Sequence, residues 1–225
     1  MNNLNAKAIG GVLAVLVAMG AFLFLAAGTL NYWQAWVFLA VFGVAGLAII
    51  VYLMKKDPKL LERRMSGGPA AEKRTSQKII MSISSLGFAA LLVVPALDHR
   101  FGWSSVPLYA VIAGDVLFVL GWIIIFFVFK ENTFTSSTIE IAADQKVITT
   151  GPYAIVRHPM YSGSLLYMLA MPIALGSWWG LCVILLLMPI SLWRLFDEEK
   201  LLSNDLPGYR EYIQKVPYRL VPHLW

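Results

Sequence analysis

The chain has 225 residues, 59% hydrophobic and 14% charged, with a formal net charge of +5. Soluble domains run near 25% charged, so this composition belongs to the membrane class instead. The single cysteine, Cys182, excludes a disulfide framework and a cysteine-based metal site, and reads as a small core residue.

From Ala8 to Met54 there is no charged residue. That length suits two helices of about 20 residues each, joined by a tight turn. The pattern places them at roughly 8–28 and 33–54, with Asn31, Tyr32, Trp33 and Trp36 at the membrane–water interface between them. Lys7 alone is too little for a basic leader region, so the first run reads as a retained helix rather than a signal peptide. Residues 57–77 hold Pro58, Gly67, Gly68 and Pro69, a loop signal, and Ser66–Pro69 is expected at a mobile surface. Lysines and arginines crowd this loop, from Lys55 through Arg63 and Arg64 to Lys78. The positive-inside rule puts it in the cytoplasm, where contact with anionic lipid explains it better than nucleic acid does. Helix three falls at roughly 78–97 and helix four at roughly 105–130, interrupted only by Asp115, which reads as polar glue between helices. Asn132–Thr150 is polar and too short for a domain. Pro159–Trp193 is long enough for a hairpin of two shorter helices. The chain then becomes charged and ends with one more helical stretch at Tyr209–Gln214.

The expected fold is therefore all-α: one polytopic membrane bundle of about six transmembrane segments, with a cytoplasmic cap from the 131–158 loop and the C-terminal tail. Residues 1–100 form its N-terminal helices and basic loop, and 105–225 its core. Counting outward from the basic loop places both termini in the cytoplasm and Asp98–Arg100 on the far side. A prokaryotic inner (plasma) membrane is the expected location.

Two polar clusters bracket the last hairpin. The first runs from Gly151-Pro152-Tyr153 to Arg157-His158-Pro159-Met160-Tyr161-Ser162-Gly163, and the second is Arg194–Glu199. A hairpin holds its feet about 10 Å apart, so the two clusters become one site in space. Charged groups at a membrane boundary are costly unless they have work to do. Arg194 and Glu198 share a helix face and could simply pair with each other, while Asp197 and Glu199 point elsewhere. His158 could be an interfacial histidine bonded to backbone, and Arg157 could snorkel to lipid phosphate. Three scattered histidines do not suit a metal centre.

The motifs Gly-Pro-Tyr-(three residues)-Arg-His-Pro-Met-Tyr-Ser-Gly, Arg-(three residues)-Glu-Glu and Leu-Pro-Gly-Tyr-Arg-Glu-Tyr are similar to those of the integral-membrane methyltransferases, the isoprenylcysteine carboxyl methyltransferase and phospholipid N-methyltransferase families. The resemblance covers about residues 110–225. It implies S-adenosyl-L-methionine bound at the cytoplasmic face, and a lipophilic or lipid-modified acceptor entering from the bilayer. It implies further that Gln145, Val147, Ile148 and Tyr153 wall the cofactor pocket, with His158, Pro159, Met160 and Tyr161 at its centre. Backbone amides around Gly151 would meet the cofactor's carboxylate. Glu198 would hold the cofactor with Glu199 beside it, and Arg194 would orient the acceptor; by their chemistry, Arg194 or Arg157 could clamp an acceptor carboxylate or a lipid phosphate. Carboxyl O-methylation is favoured over N-methylation, because a carboxylate needs no proton removed. Two other readings compete. A membrane NADPH-dependent reductase of sterol-reductase type needs basic residues for the 2′-phosphate, where this tail is acid-rich. A non-catalytic scaffold would bind no small molecule at the hairpin feet.

Overall fold

A computed structural model describes residues 3–225, which form eight helices: α1 (Asn3–Ala27), α2 (Trp33–Lys56), α3 (Pro58–Met65), α4 (Thr75–Phe101), α5 (Leu108–Glu131), α6 (Pro159–Ala174), α7 (Gly180–Asp205) and α8 (Tyr209–Lys215). No strand occurs among the described residues. The protein is a polytopic helical membrane bundle. Five helices, α1, α2, α4, α5 and α7, are long and apolar enough to cross a membrane. The expected sixth, α6, has only 16 residues. At 1.5 Å per residue it reaches about 24 Å, short of a hydrocarbon core of about 30 Å. The first four spans follow from long apolar runs, with Pro95 accommodated inside α4; the last hairpin is asymmetric because α6 begins inside the polar cluster.

Leu25, Val44, Leu86, Leu185 and Leu186 all point outward and are more than two-thirds exposed, as apolar residues facing lipid must be. Cys182 also faces outward, so it is not the core residue the sequence suggests. The interior is packed with Leu23, Phe38, Leu91, Phe118, Met171 and Ile184. Helices α5 and α6 approach each other at backbone level. A Cβ on Gly121 would lie 2.8 Å from the Gly163 carbonyl oxygen, and one on Gly114 would lie 2.5 Å from the Ala174 nitrogen. Without a hydrophobic force between helices in lipid, such backbone contact is a main source of adhesion. Asp115, one residue beyond Gly114, does not act as glue: its buried Oδ1 has no hydrogen-bond partner among the described residues.

The two ends of the bundle differ. At one end the Asp98 carboxylate is buried and accepts from the Ser104 backbone N–H (2.8 Å), the Ser104 hydroxyl and the Ser177 hydroxyl (2.6 Å). Tyr32 stacks on His99 and donates to the Leu175 carbonyl at 2.6 Å. It is thus buried, whereas Trp33 and Trp36 stay exposed at the boundary. The opposite end holds α3, the 132–158 segment, α8 and the tail. The structure corrects the loop expected at 57–77. Asp57 accepts from the Leu60 N–H at 3.0 Å, Pro58 opens a helix behind it, and Leu60 and Leu61 are buried. Beyond Gly68, Glu72 and Gln77 are also buried.

Candidate active site

At this second end lies a cavity of about 480 Å³, within the usual size of small-molecule sites. One wall is the segment after α5. Asn132 anchors it: its Oδ1 accepts from the Phe134 N–H and its Nδ2 donates to the Tyr153 hydroxyl at 2.9 Å. Gln145 Oε1 accepts from the Ala142 N–H and holds the turn that presents Val147 and Ile148. Burial pushes the Tyr153 hydroxyl up to about 12, so it is neutral at any physiological pH. The chain then enters α6 with His158 at the N-cap and Pro159 in the first turn, where a missing N–H costs nothing.

The tail closes over this entry. The Arg157 and His158 N–H groups donate to the Tyr218 and Arg219 carbonyls, both at 2.9 Å. The Ser162 hydroxyl donates to the Leu220 carbonyl at 2.7 Å. The Arg157 guanidinium turns inward, donating to Glu199 Oε1 (2.8 Å) and to the Val216 and Pro217 carbonyls (2.9 and 2.7 Å). It is buried, so the snorkelling arrangement weighed from the sequence is not adopted.

The three acids of α7 do three different things. Glu198 faces the cavity and accepts from the Tyr161 hydroxyl at 2.6 Å. Glu199 faces away, into a buried cluster with Arg157, Arg219 (2.9 Å) and His158 (3.6 Å). Asp197 meets the Gln77 amide and Arg74 (3.0 Å). Arg194 does not form the intrahelical pair with Glu198. It donates to Glu72 (2.9 Å), the Gln77 side chain (2.8 Å) and the Ser137 carbonyl (3.1 Å).

The structure thus brings Gln145, Val147, Ile148, Tyr153, Arg157, His158, Pro159, Met160, Tyr161, Arg194 and Glu198 to one cavity. Gly151 and Glu199 lie off it. Gly151 has a positive φ of 58° and packs against the Glu131 carboxylate, which the Thr150 hydroxyl also meets. The buried His158 Nε2 has no hydrogen-bond partner among the described residues, although Glu199 is near.

Sequence reasoning missed several lining residues. Arg64 and Gly67 reach the cavity from the N-terminal half, as do Met81 and Ser84 on α4. Tyr167 and Ser191 deepen it between α6 and α7. The overlooked signal for the first group was Asp57-Pro58, a helix start inside an apparent loop. No curated protein matches the chain. Residues 109–206, which hold α5, the capping segment, α6 and α7, are similar to the family model described as phospholipid methyltransferase.

Proposed function

We propose that the protein transfers a methyl group from S-adenosyl-L-methionine to a lipophilic acceptor at the cytoplasmic face of the membrane. The observation that carries this reading is the cavity itself: both motif clusters, far apart in sequence, face one space, with the Glu198 carboxylate held into it by Tyr161. The residues suit the cofactor. Glu198 can accept from an ammonium or a ribose hydroxyl, and the Tyr153 and Tyr161 rings can lie against adenine or a cation. When bound, the cofactor supplies a methyl group on a positively charged sulfur. The protein then has little proton transfer to do if the acceptor is a carboxylate, and positioning supplies most of the rate. A prenylcysteine-like carboxylate is therefore favoured over a phospholipid amine, which must lose a proton.

Within this reading residues 105–225 form the catalytic core, and Arg194, fixed by Glu72, Gln77 and Ser137, helps to place the acceptor. Arg157, bonded to Glu199 and to tail carbonyls, positions the lid instead of touching the acceptor, and Glu199 serves the same purpose. The test is calorimetric titration of detergent-purified protein with S-adenosylhomocysteine and, separately, with NADPH. The first is expected to bind and the second not; the reverse result selects the reductase reading, and no binding of either selects the scaffold. The variant Glu198→Ala is expected to abolish S-adenosylhomocysteine binding, whereas Arg194→Ala retains it and weakens acceptor use. Normal binding by Glu198→Ala would remove that residue from the cofactor site.

A further inference from the structure

Three arginines line the cavity, and they are not equivalent. Arg157 is neutralised by Glu199 and Arg194 by Glu72. Arg64 forms no ion pair among the described residues. Its Nη1 donates to the Ser136 carbonyl at 3.0 Å, and the guanidinium lies 5.0 Å from the centre of the Phe129 ring. A guanidinium has five N–H donors, and this carbonyl is the one acceptor found for them among the described residues. The neighbouring Arg63 faces the other way, toward Asp144 and the Thr133 carbonyl.

A partly buried cation without a counter-ion is unfavourable, and here a second cation makes it more so. Burial and the nearby Arg194 both act against the charge on Arg64. Arg64 shares the cavity with residues of three helices. Tyr167 and Ser164 come from α6, Ser191 from α7, and Met81 and Ser84 from α4, so transmembrane helices as well as the capping segment line this cavity. Glu198 and Tyr153 line the same cavity.

We infer that Arg64 binds the anionic group of the acceptor, a carboxylate or a phosphate, and so is a specificity-determining residue supplied from outside the matched family segment. The inference rests on the methyltransferase reading for the identity of that anion as the acceptor's. It also assigns different tasks to the two arginines. Arg194, already neutralised, contributes shape and N–H direction, and Arg64 contributes the net charge. Arginine suits either anion because its planar fork donates two parallel hydrogen bonds.

The test is titration of the purified protein, in non-ionic detergent, with dodecanoate, dodecyl phosphate and dodecanol, each with and without S-adenosylhomocysteine. At least one anion is expected to bind about 10- to 100-fold more tightly than the alcohol, the range for a hydrogen bond to a charged group. Which anion wins distinguishes a carboxylate acceptor from a phospholipid. In Arg64→Gln the preference is expected to vanish while S-adenosylhomocysteine affinity stays within about twofold. In Arg64→Lys, which keeps the charge and loses the fork, part of the preference remains. An equal affinity for anion and alcohol in the wild-type protein, or an unchanged preference in Arg64→Gln, overturns the assignment. If Arg64→Gln does not fold, the wild-type discrimination and Arg64→Lys decide. Failure of S-adenosylhomocysteine to bind is a separate result, which rejects the methyltransferase reading and leaves the anion titration readable.

Discussion

Glu199 looks in the sequence like a twin of Glu198, yet one side chain turns to the cavity and the other to the tail. The reason is helical: neighbours on a helix point about 100° apart, so adjacent acids cannot share a task. Glu199 gathers two arginines, and the better buried of them, Arg157, has no other anion among the described residues. Replacing Glu199 by Ala should therefore leave a buried cation unpaired, at about 3–5 kcal/mol. The Arg219 contact is about a third exposed and contributes little of that. A melting curve in detergent is expected to drop sharply for Glu199→Ala, and hardly at all for Arg219→Ala. The motif made Glu198 and Tyr161 legible as site residues. It could not reveal Glu72, which lies 122 positions from its partner Arg194 and sits in a predominantly basic loop. The variant Glu72→Gln should keep the fold and S-adenosylhomocysteine affinity but raise the acceptor KM, since Arg194 would lose its charged anchor. An unchanged KM would separate Glu72 from acceptor placement.

At the scale of elements, the helices were largely legible because apolar runs without charge have few alternatives in a membrane. Helix four was expected at roughly 105–130 and is Leu108–Glu131. Helix α3 was hidden because two glycines and a proline follow it closely, and these dominate a reading by punctuation. Its amphipathic face, Leu60 and Leu61 inward with Arg63 beside them, was present but short. The α5–α6 contact leaves the least tolerance. A side chain at Gly121 must meet the backbone at Gly163 and Tyr167, which cannot rotate away. Gly121→Val is expected to cost at least the 1–3 kcal/mol usual for overpacking, and to loosen the floor under Met160 and Tyr161. Gly10→Val, on a helix where an added Cβ meets nothing within 4 Å, is the control and should melt like the wild type.

For the whole molecule, the sequence conveys that helices cross a membrane and that two motif clusters meet at one end. It does not convey which loops close over that end, because lids are held by carbonyls, and any residue supplies a carbonyl. Val216, Pro217, Tyr218, Arg219 and Leu220 all bond through this group, so no side-chain pattern announces them. The orientation argued from the basic loop is directly testable. In a Cys182→Ser background, Ser66→Cys should react with an impermeant maleimide only from the cytoplasmic side, and Thr29→Cys, in the α1–α2 turn, only from the opposite side. The inverse labelling would turn the protein over and move the proposed site to the other face.

The Asp98 cluster has a mechanical consequence. One carboxylate ties the last turn of α4 to the segment before α5 and to the α6–α7 turn, and Tyr32 adds the start of α2. The cavity end has solvated straps as well, such as Lys73–Glu140 and Arg63–Asp144, which hold weakly. Helix α7 is also held at the cavity end by the buried Arg157–Glu199 and Arg194–Glu72 pairs, so the helices free to behave as cantilevers are those without such a tie. Over a helix about 36 Å long, a tilt of about 6° shifts the free end by about 4 Å, the spacing of two carbon atoms in contact. A gap of that width between neighbouring helices admits a hydrocarbon chain without any helix unwinding, and the pinned end closes it again.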